Sequence, residues 1–495
     1  MKTALFSLII SIACATVLYG QDADLTLENT FFTAASDQRV EAQVGQINVP
    51  EYRANPNSNT ISIKFIRLKS TTGGAGTPLI YLEGGPGASC TWQAEDPGTL
   101  DNWLPILQQR DVILLDQRGT GADAQRMTWI NMEPIPDNVL LTEEDATTYF
   151  DYMATQAVPT WEQAGIDLRG YTSLESAHDI DDLRQALGLD RLVIMGFSYG
   201  THLGLSYIKT YEERVERAIL IGVEGLNETY KLPLRMDAAF HRLATMAAND
   251  PLVGQDVPDL VELYQRVSQK LLEEPAEISL TNLLSGQQET RLVGKWGLDM
   301  ILSRDIGDAT DLPVFPRLLH TIDQGDFSLL QWFVQKRYIG LFGLNAMSST
   351  MDISSGASLS RLTQVGTEAT QSMFGNVLNT GLSMRNAWPE VDLGDGFRTP
   401  FSSDVPMLLL SGDLDCNTPP HQAEFLRWHM PNARHLIVEN AGHEQILPHP
   451  DIQQAVVDFL LGEDVSQVRA AYPPLRFIPL EGEATDLYHP CLDQE

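Results

Sequence analysis

The chain has 495 residues, of which 43% are hydrophobic and 20% charged, and its 33 Lys and Arg against 66 Asp and Glu give a formal net charge of −33. This composition predicts a soluble globular protein with a large core, and it argues against global disorder, collagen-like repeats and a polytopic membrane protein. Because so acidic a chain repels phosphate groups and has no run of Lys and Arg, we expect no nucleic-acid partner.

The first twenty residues have the pattern of a secretory signal peptide. Lys2 precedes an apolar run over residues 4–13, and small residues then lead to an abrupt polar change at 21–24. The run is too short to span a bilayer and no later segment reaches 18 apolar residues, so we expect no stable membrane insertion. Ser11 stands where a lipoprotein signal usually has a larger aliphatic residue, so we do not expect a lipid anchor at Cys14. The sequence predicts a secreted or periplasmic protein.

After this leader, strand and helix patterns alternate. Residues 39–49 and 61–68 have alternating apolar positions and predict a β-hairpin with a longer loop. Short continuous apolar runs, typical of strands buried on both faces, follow at residues 79–82, 112–115, 192–195, 218–221, 407–410 and 436–438. Helical patterns between several of these runs imply a mostly parallel sheet with helices on both faces, which is an α/β fold.

Residues 226–403 lack this rhythm and predict a large inserted helical cap domain. The predicted organisation is a signal peptide over 1–20, a first part of the core over 21–225, the cap over 226–403 and a second part of the core over 404–495. The predicted mature chain keeps three cysteines, so at least one is unpaired, and Cys416 could pair with Cys491 or with Cys90. No Cys or His pair has metal-ligand spacing, so we expect no metal and no other cofactor.

A candidate nucleophile lies between a predicted strand and a predicted helix. The pentapeptide Gly-Phe-Ser-Tyr-Gly at 196–200 follows the run 192–195 and precedes a helical pattern over 201–211. A nucleophilic serine needs such a sharp turn, in which only glycine fits on either side. The alternative is a turn whose serine merely caps the helix. We predict that Ser198 is the nucleophile.

A serine hydroxyl needs a base to take its proton and an acid to orient that base. His443 and Asp415 follow consecutive predicted strands, at the sheet edge where ligand sites of α/β folds collect. The chain order Ser, Asp, His is that of α/β-hydrolases. Asp413 in the same loop is the alternative acid, and the alternative for His443 is a structural turn residue.

A tetrahedral intermediate also needs two backbone N–H donors for its oxyanion. Tyr199, the residue after the nucleophile, supplies the first. The glycine-rich turn after the run 79–82 supplies the second, and Gly85 is the predicted donor because glycine lets the backbone approach a reacting carbonyl closely.

Five segments together resemble the prolyl iminopeptidase and tripeptidyl aminopeptidase family of α/β-hydrolases. They are Gly84-Gly85-Pro86-Gly87, Asp116-Gln117-Arg118-Gly119-Thr120-Gly121, the pentapeptide at 196–200, Gly412-Asp413-Leu414-Asp415 with Thr418-Pro419, and Ala441-Gly442-His443. The resemblance implies a secreted serine exopeptidase that removes residues from the free amino end of short peptides. It assigns Ser198, Asp415 and His443 to a catalytic triad.

The resemblance also implies that cap carboxylates hold the ammonium group of the substrate. Glu224 is the first candidate for this contact and Asp352 the second. Two features depart from the family pattern: Glu83 replaces the His that begins the glycine-rich turn in many members, and the cap is longer than that of simple prolyl iminopeptidases. The longer cap favours a tripeptidyl or broader aminopeptidase. The alternatives are a carboxylesterase with the same triad and a catalytically silent binding protein.

Overall fold

The computed structural model describes residues 25–74, 76–305 and 309–481. The predicted signal peptide, Cys14 and Cys491 lie outside these residues. Cys90 and Cys416 are buried free thiols and are not joined to each other.

The strands follow the chain in this order: β1 (Leu25–Thr33), β2 (Arg39–Pro50), β3 (Thr60–Leu68), β4 (Gly76–Leu82), β5 (Arg110–Leu115), β6 (Thr128–Ile130), β7 (Leu192–Phe197), β8 (Val215–Ile221), β9 (Ala276–Thr281), β10 (Gln288–Val293), β11 (Gly343–Asn345), β12 (Met407–Gly412), β13 (Ala433–Glu439) and β14 (Ala470–Ala471).

The helices are α1 (Trp92–Glu95), α2 (Pro97–Leu107), α3 (Ala124–Met127), α4 (Glu143–Gln163), α5 (Ser173–Ala186), α6 (Tyr199–Tyr211), α7 (Pro233–Ala248), α8 (Leu260–Glu273), α9 (Lys295–Asp305), α10 (Phe315–Asp323), α11 (Ser328–Tyr338), α12 (Ala346–Ser355), α13 (Leu359–Ala369), α14 (Gly394–Arg398), α15 (Pro420–Arg427) and α16 (Pro450–Leu461).

The centre of the fold is a ten-stranded sheet in the order β1-β2-β3-β5-β4-β7-β8-β12-β13-β14. The pairs from β5 to β14 are parallel, whereas β1, β2 and β3 join the sheet by antiparallel pairing. The predicted hairpin is therefore confirmed as β2 and β3. β1 was not predicted: it is an edge strand whose side chains are mostly exposed, so it lacks the buried alternation that indicates a strand.

Helices cover both faces of the sheet, which confirms the predicted α/β class. On one face, α2 and α16 bury Leu100 and Phe459 against the parallel strands. On the other face, α5 and α6 bury Leu183 and Leu203 in a core that continues into the insertion. The strands β7 and β12 are buried along almost their whole length, and β8 is buried from Ala218 to Ile221, because neither face of the sheet meets water there.

A long insertion separates β8 from β12. It contains α7 to α14, but also an antiparallel hairpin of β9 and β10. The sequence predicted a helical insertion, so this hairpin departs from the prediction. The strand β9 does show the alternation of buried Ala276, Ile278 and Leu280 with exposed residues. The insertion is tied to the first half of the chain because β11 pairs with β6.

No helix within residues 25–74, 76–305 and 309–481 is long and apolar enough to cross a bilayer.

Candidate active site

Ser198 occupies a strained turn between β7 and α6. Its backbone has φ 54° and ψ −124°, a conformation that side-chain-bearing residues seldom adopt. Its N–H donates to the carbonyl of Ile221 on the neighbouring strand at 2.8 Å, which holds the turn at the edge of the sheet. The serine side chain is half-buried and lines a cavity. The turn therefore presents the hydroxyl to a ligand, as a nucleophile requires.

The two glycines beside this turn are sterically required. A Cβ atom on Gly196 would lie 2.4 Å from the carbonyl oxygen of Gly200, and a Cβ on Gly200 would lie 2.0 Å from the carbonyl oxygen of Leu82. Both obstacles are backbone atoms, which cannot rotate away. The close approach of α6 to β7 explains the glycine at 196, and its close approach to β4 explains the glycine at 200.

Replacing Gly200 by Ala should lower the free energy of unfolding by about 3 kcal/mol or more, because β4 or α6 must move to admit the methyl group. Gly366 in α13 is a matched control, because a Cβ there would meet nothing within 4 Å. Gly366→Ala should be neutral or stabilising by up to about 1 kcal/mol, as expected for a helical position. Urea unfolding of both variants measures the difference. Equal midpoints for the two variants would contradict this packing argument.

Asp415 and His443 form a buried hydrogen-bonded pair at the ends of β12 and β13. The Nδ1 atom of His443 lies 2.7 Å from Oδ2 of Asp415. Thr418 donates its hydroxyl to the same carboxylate oxygen at 2.6 Å, and the N–H groups of Asn417 and Thr418 donate to the other oxygen at 2.8 and 3.0 Å. The carboxylate is fully occupied as an acceptor, so it can hold the imidazole in one orientation.

The pair also tunes the protonation of both partners. Burial acts to raise the pKa of Asp415, but the charge of His443 and the hydrogen bonds from His443 and Thr418 prevail and lower it. Burial acts to lower the pKa of His443, but the charge and hydrogen bond of Asp415 prevail and raise it. Asp413 instead accepts hydrogen bonds from Arg242. The structure thus brings Asp415, and not the alternative Asp413, to the histidine.

His443 lies beside the nucleophile. The ring of Phe197, the residue before Ser198, is 4.9 Å from the imidazole centroid, and Ser198 and His443 line the same cavity. The hydrogen bonds of His443 within the described residues are made by Nδ1, to Asp415 and Thr418. The Nε2 atom makes no hydrogen bond within the described residues and is available as an acceptor; a catalytic contact of this kind often closes only when substrate binds.

The glycine-rich turn after β4 lies against Ser198. A Cβ on Gly84 would lie 3.0 Å from Cβ of Ser198, and Gly85 has φ 113°, a value suited to glycine. Tyr199 is the first residue of α6, so its N–H has no acceptor within the helix. The turn and this helix start therefore offer backbone donors near the serine, as an oxyanion site requires.

A second loop, which carries the motif at 116–121, braces the glycine-rich turn. The carboxylate of Asp116 accepts from the N–H groups of Cys90 and Thr91 at 2.9 and 3.0 Å, and Gln117 donates its side-chain amide to the carbonyl of Glu83 at 2.8 Å. The motif at 116–121 is thus structural support for the site. Its arginine, Arg118, is buried against Asp179.

A cavity of about 1510 Å³ opens above Ser198 and reaches under the insertion. Its wall includes Gly85, both predicted carboxylates Glu224 and Asp352, and Lys231. Glu224 pairs with Lys231, with 2.6 Å between Oε2 and Nζ. Sequence reasoning missed this lysine, because it lies seven residues after Glu224 in the loop between β8 and α7, where no helix or strand spacing predicts a contact. Within the described part of the chain, no group of His, Cys, Asp and Glu side chains is arranged to hold a metal ion.

Asp352 on α12 differs from Glu224 in having no hydrogen bond to its carboxylate within the described residues. Burial and the charge of Glu224 raise the pKa of Asp352 to about 7, although Lys231 and Arg304 act to lower it. The carboxylate thus carries an incomplete charge at neutral pH and would gain from a new positive partner.

Comparisons with known proteins show which families and relatives this chain resembles. A family model described as alpha/beta hydrolase fold matches residues 77–288, and one described as TAP-like protein matches residues 371–467. The chain is 29% identical over 212 residues to a tripeptidyl aminopeptidase of Streptomyces lividans, a match that covers 40% of this chain and 39% of that one. It is 29% identical over 250 residues to the serine protease Hip1 of Mycobacterium tuberculosis, covering 47% of each.

The matched region therefore spans less than half the length of these curated relatives. Among solved structures, a proline iminopeptidase-related protein of Thermus thermophilus is 16% identical, with a TM-score of 0.36, over 88% of this chain and 98% of that one. The family resemblance predicted from the five segments is confirmed by the two family models. The chain therefore has the α/β-hydrolase fold, and a segment in its second half matches the model described as TAP-like protein.

Proposed function

We propose that the protein is a serine peptidase that removes residues from the free amino end of short peptides through an acyl-enzyme on Ser198. The observation that carries the proposal is the buried Asp415–His443 pair beside the half-buried serine, at the floor of a cavity whose wall holds carboxylates. The match to proteins named tripeptidyl aminopeptidase supports the same reaction class.

The proposed reaction is acyl transfer. His443 takes the proton of Ser198 through Nε2 while the serine oxygen attacks the amide carbonyl. The N–H groups of Tyr199 and Gly85 stabilise the oxyanion, and His443 then gives the proton to the leaving amine. Water hydrolyses the ester by the same route in reverse. Asp415 keeps the Nδ1 proton of His443 in place, which leaves Nε2 free to act as the base.

The cavity favours a peptide over a single residue. Its volume of about 1510 Å³ exceeds the roughly 300–1,000 Å³ of ordinary small-molecule pockets. Glu224, just before the insertion, and Asp352, within it, supply two carboxylates to the cavity, and the ammonium group of Lys231 pairs with Glu224. Asp352 is therefore the better partner for a substrate ammonium. We also propose, from the predicted signal peptide over 1–20, that the protein acts outside the cytoplasm.

Hydrolysis of matched chromogenic substrates tests this function. Prolyl, alanyl and tripeptidyl anilides with free amino ends would be compared with their acetylated forms and with short-chain nitrophenyl esters. We expect the free amides to be cleaved and acetylation to reduce kcat/KM strongly. Unchanged turnover after acetylation would overturn the exopeptidase proposal, and cleavage of esters alone would favour a carboxylesterase. No hydrolysis by well-folded protein would favour a silent binding protein.

Replacing Asp352 by Asn should raise KM for free-amino substrates about tenfold or more, which corresponds to losing one charged hydrogen bond. Because the pKa of Asp352 is about 7, its carboxylate becomes neutral as the pH falls. The KM of the unmodified protein should therefore rise from pH 8 to pH 6, whereas that of Asp352→Asn should stay high and flat. Nitrophenyl esters without an amino group are the control. A pH-dependent KM in the variant would contradict the assignment.

A further inference from the structure

Glu83 follows β4 and begins the glycine-rich turn, and its carboxylate accepts hydrogen bonds at both oxygens. Its Oε1 atom accepts from the N–H of Gly84 at 3.1 Å and from the hydroxyl of Tyr81 at 3.3 Å. Its Oε2 atom accepts from the side-chain amide of Gln93 at 2.7 Å. Burial raises the pKa of Glu83, although these three hydrogen bonds act to lower it. An ionised carboxylate, which is an acceptor at both oxygens, matches the three donors.

The donors themselves are fixed in the core. Gln93 accepts from the indole N–H of Trp103 at 3.1 Å, and Trp103 packs edge-on against Tyr81 with ring centroids 5.1 Å apart. Trp103 and Tyr81 are buried, so the series of hydrogen bonds from Trp103 through Gln93 to Glu83 begins at a side chain that is packed in the core. The carbonyl of Glu83 is held separately by Gln117.

The turn held in this way lies directly against the nucleophile. Gly84 approaches Ser198 so closely that a Cβ on the glycine would come within 3.0 Å of the serine Cβ and 3.1 Å of the carbonyl oxygen of Phe197. The next N–H along the chain belongs to Gly85. The Gly84 N–H is engaged by Glu83, and the Gly85 N–H lies one peptide plane further along the chain, so holding the first plane restricts the directions open to the second.

We propose that Glu83 is a positioning residue of the reaction, which holds the glycine-rich turn so that the Gly85 N–H is aimed at the oxyanion. This inference rests on the proposed function, because an oxyanion forms only if Ser198 attacks a carbonyl or phosphonyl centre. Glu83 acts through Gly84 and need not touch the substrate. Preorganised donors of this kind act on the transition state more than on substrate binding.

Reciprocal exchange of the hydrogen-bonding groups tests the proposal. In Glu83→Gln, the new amide must set an N–H group against the N–H of Gly84 or the amide of Gln93, so one contact is lost. In Gln93→Glu, two carboxylates face each other. The double variant removes both mismatches: the amide at position 83 donates to the carboxylate at position 93, which also accepts from Trp103, and the pattern of donors and acceptors is complete again.

The readout is the rate at which a fluorophosphonate labels Ser198, with kcat and KM for an anilide and the melting temperature of each variant. Labelling depends on the oxyanion donors but not on the amino end of a substrate. We expect Glu83→Gln and Gln93→Glu to label about tenfold more slowly or worse, with the loss in kcat rather than KM, and the double variant to recover most of the rate. Glu95→Gln is the matched control, since Glu95 is exposed and pairs with Lys64; it should label normally.

Labelling of Glu83→Gln at the normal rate would overturn the inference and leave the proposed function intact. A folded double variant no faster than the single variants would also overturn it, because the hydrogen-bond pattern would then be irrelevant. Absence of labelling in the unmodified protein, with its melting transition intact, would instead contradict the proposed function, and the inference would fall with it.

Discussion

Replacing Ser198 by Ala should reduce kcat on amide substrates by roughly 10⁵ to 10⁶-fold, because the residual rate then comes only from substrate binding and the oxyanion donors. The variant should fold normally, since the turn at Ser198 is held by the glycines on either side and by the N–H of residue 198, which alanine retains. Steady-state kinetics with a free-amino anilide, beside a melting curve, measures both effects.

Ser62→Ala is the control, because Ser62 is an exposed residue of β3 whose hydroxyl contacts only Gln46 among the described residues. It should retain full activity. A loss of less than a hundredfold in Ser198→Ala, with the control unaffected, would mean that another group carries the reaction.

Replacing Asp415 by Asn should reduce kcat by about 10⁴-fold, the size of effect seen when a triad acid loses its charge and the imidazole takes the wrong tautomer. An amide nitrogen facing Nδ1 of His443 would donate where the carboxylate accepts, so the ring proton moves to Nε2 and the base is lost. Because Asp415 raises the pKa of His443, its loss should also lower that pKa. The acid limb of the pH–rate profile should therefore shift to lower pH.

Asp413→Asn is a matched control in the same loop. Asp413 contacts Arg242 on α7 and has no hydrogen bond to the histidine among the described residues, so its variant should lose less than about tenfold of the activity. The pH–rate profiles of both variants, measured with one substrate, separate the two carboxylates. Equal losses, or a larger loss in Asp413→Asn, would contradict the assignment of the acid.

Local sequence patterns predicted the parts of the fold that depend on neighbours in the chain. The run 192–195 is continuous in apolar residues because β7 is buried on both faces, and glycine brackets Ser198 because two backbone segments meet there. By contrast, β1 is an exposed edge strand that exists because β2 offers it a partner. Its sequence therefore has little of the pattern that burial imposes.

The candidate site was also predicted only in part from the sequence. The positions of Ser198, Asp415 and His443 follow from strand ends, which meet at one edge of a parallel sheet. Two side-chain contacts did not follow. Lys231, which pairs with Glu224, lies seven residues along the chain, and Gln93, which binds Glu83, lies ten residues along, and no regular spacing links either pair. Such pairings depend on tertiary packing, and nothing in the local sequence around either carboxylate indicates them.

Trapping the covalent intermediate tests the central claim most directly. The protein would be mixed with an aminoacyl nitrophenyl ester, quenched in acid within the first turnover, and digested for peptide mapping by mass spectrometry. Activated esters acylate faster than they deacylate, so the intermediate should accumulate. We predict one acyl group per chain, on Ser198. An adduct on any other residue, or full hydrolysis with no adduct at any time, would contradict the account.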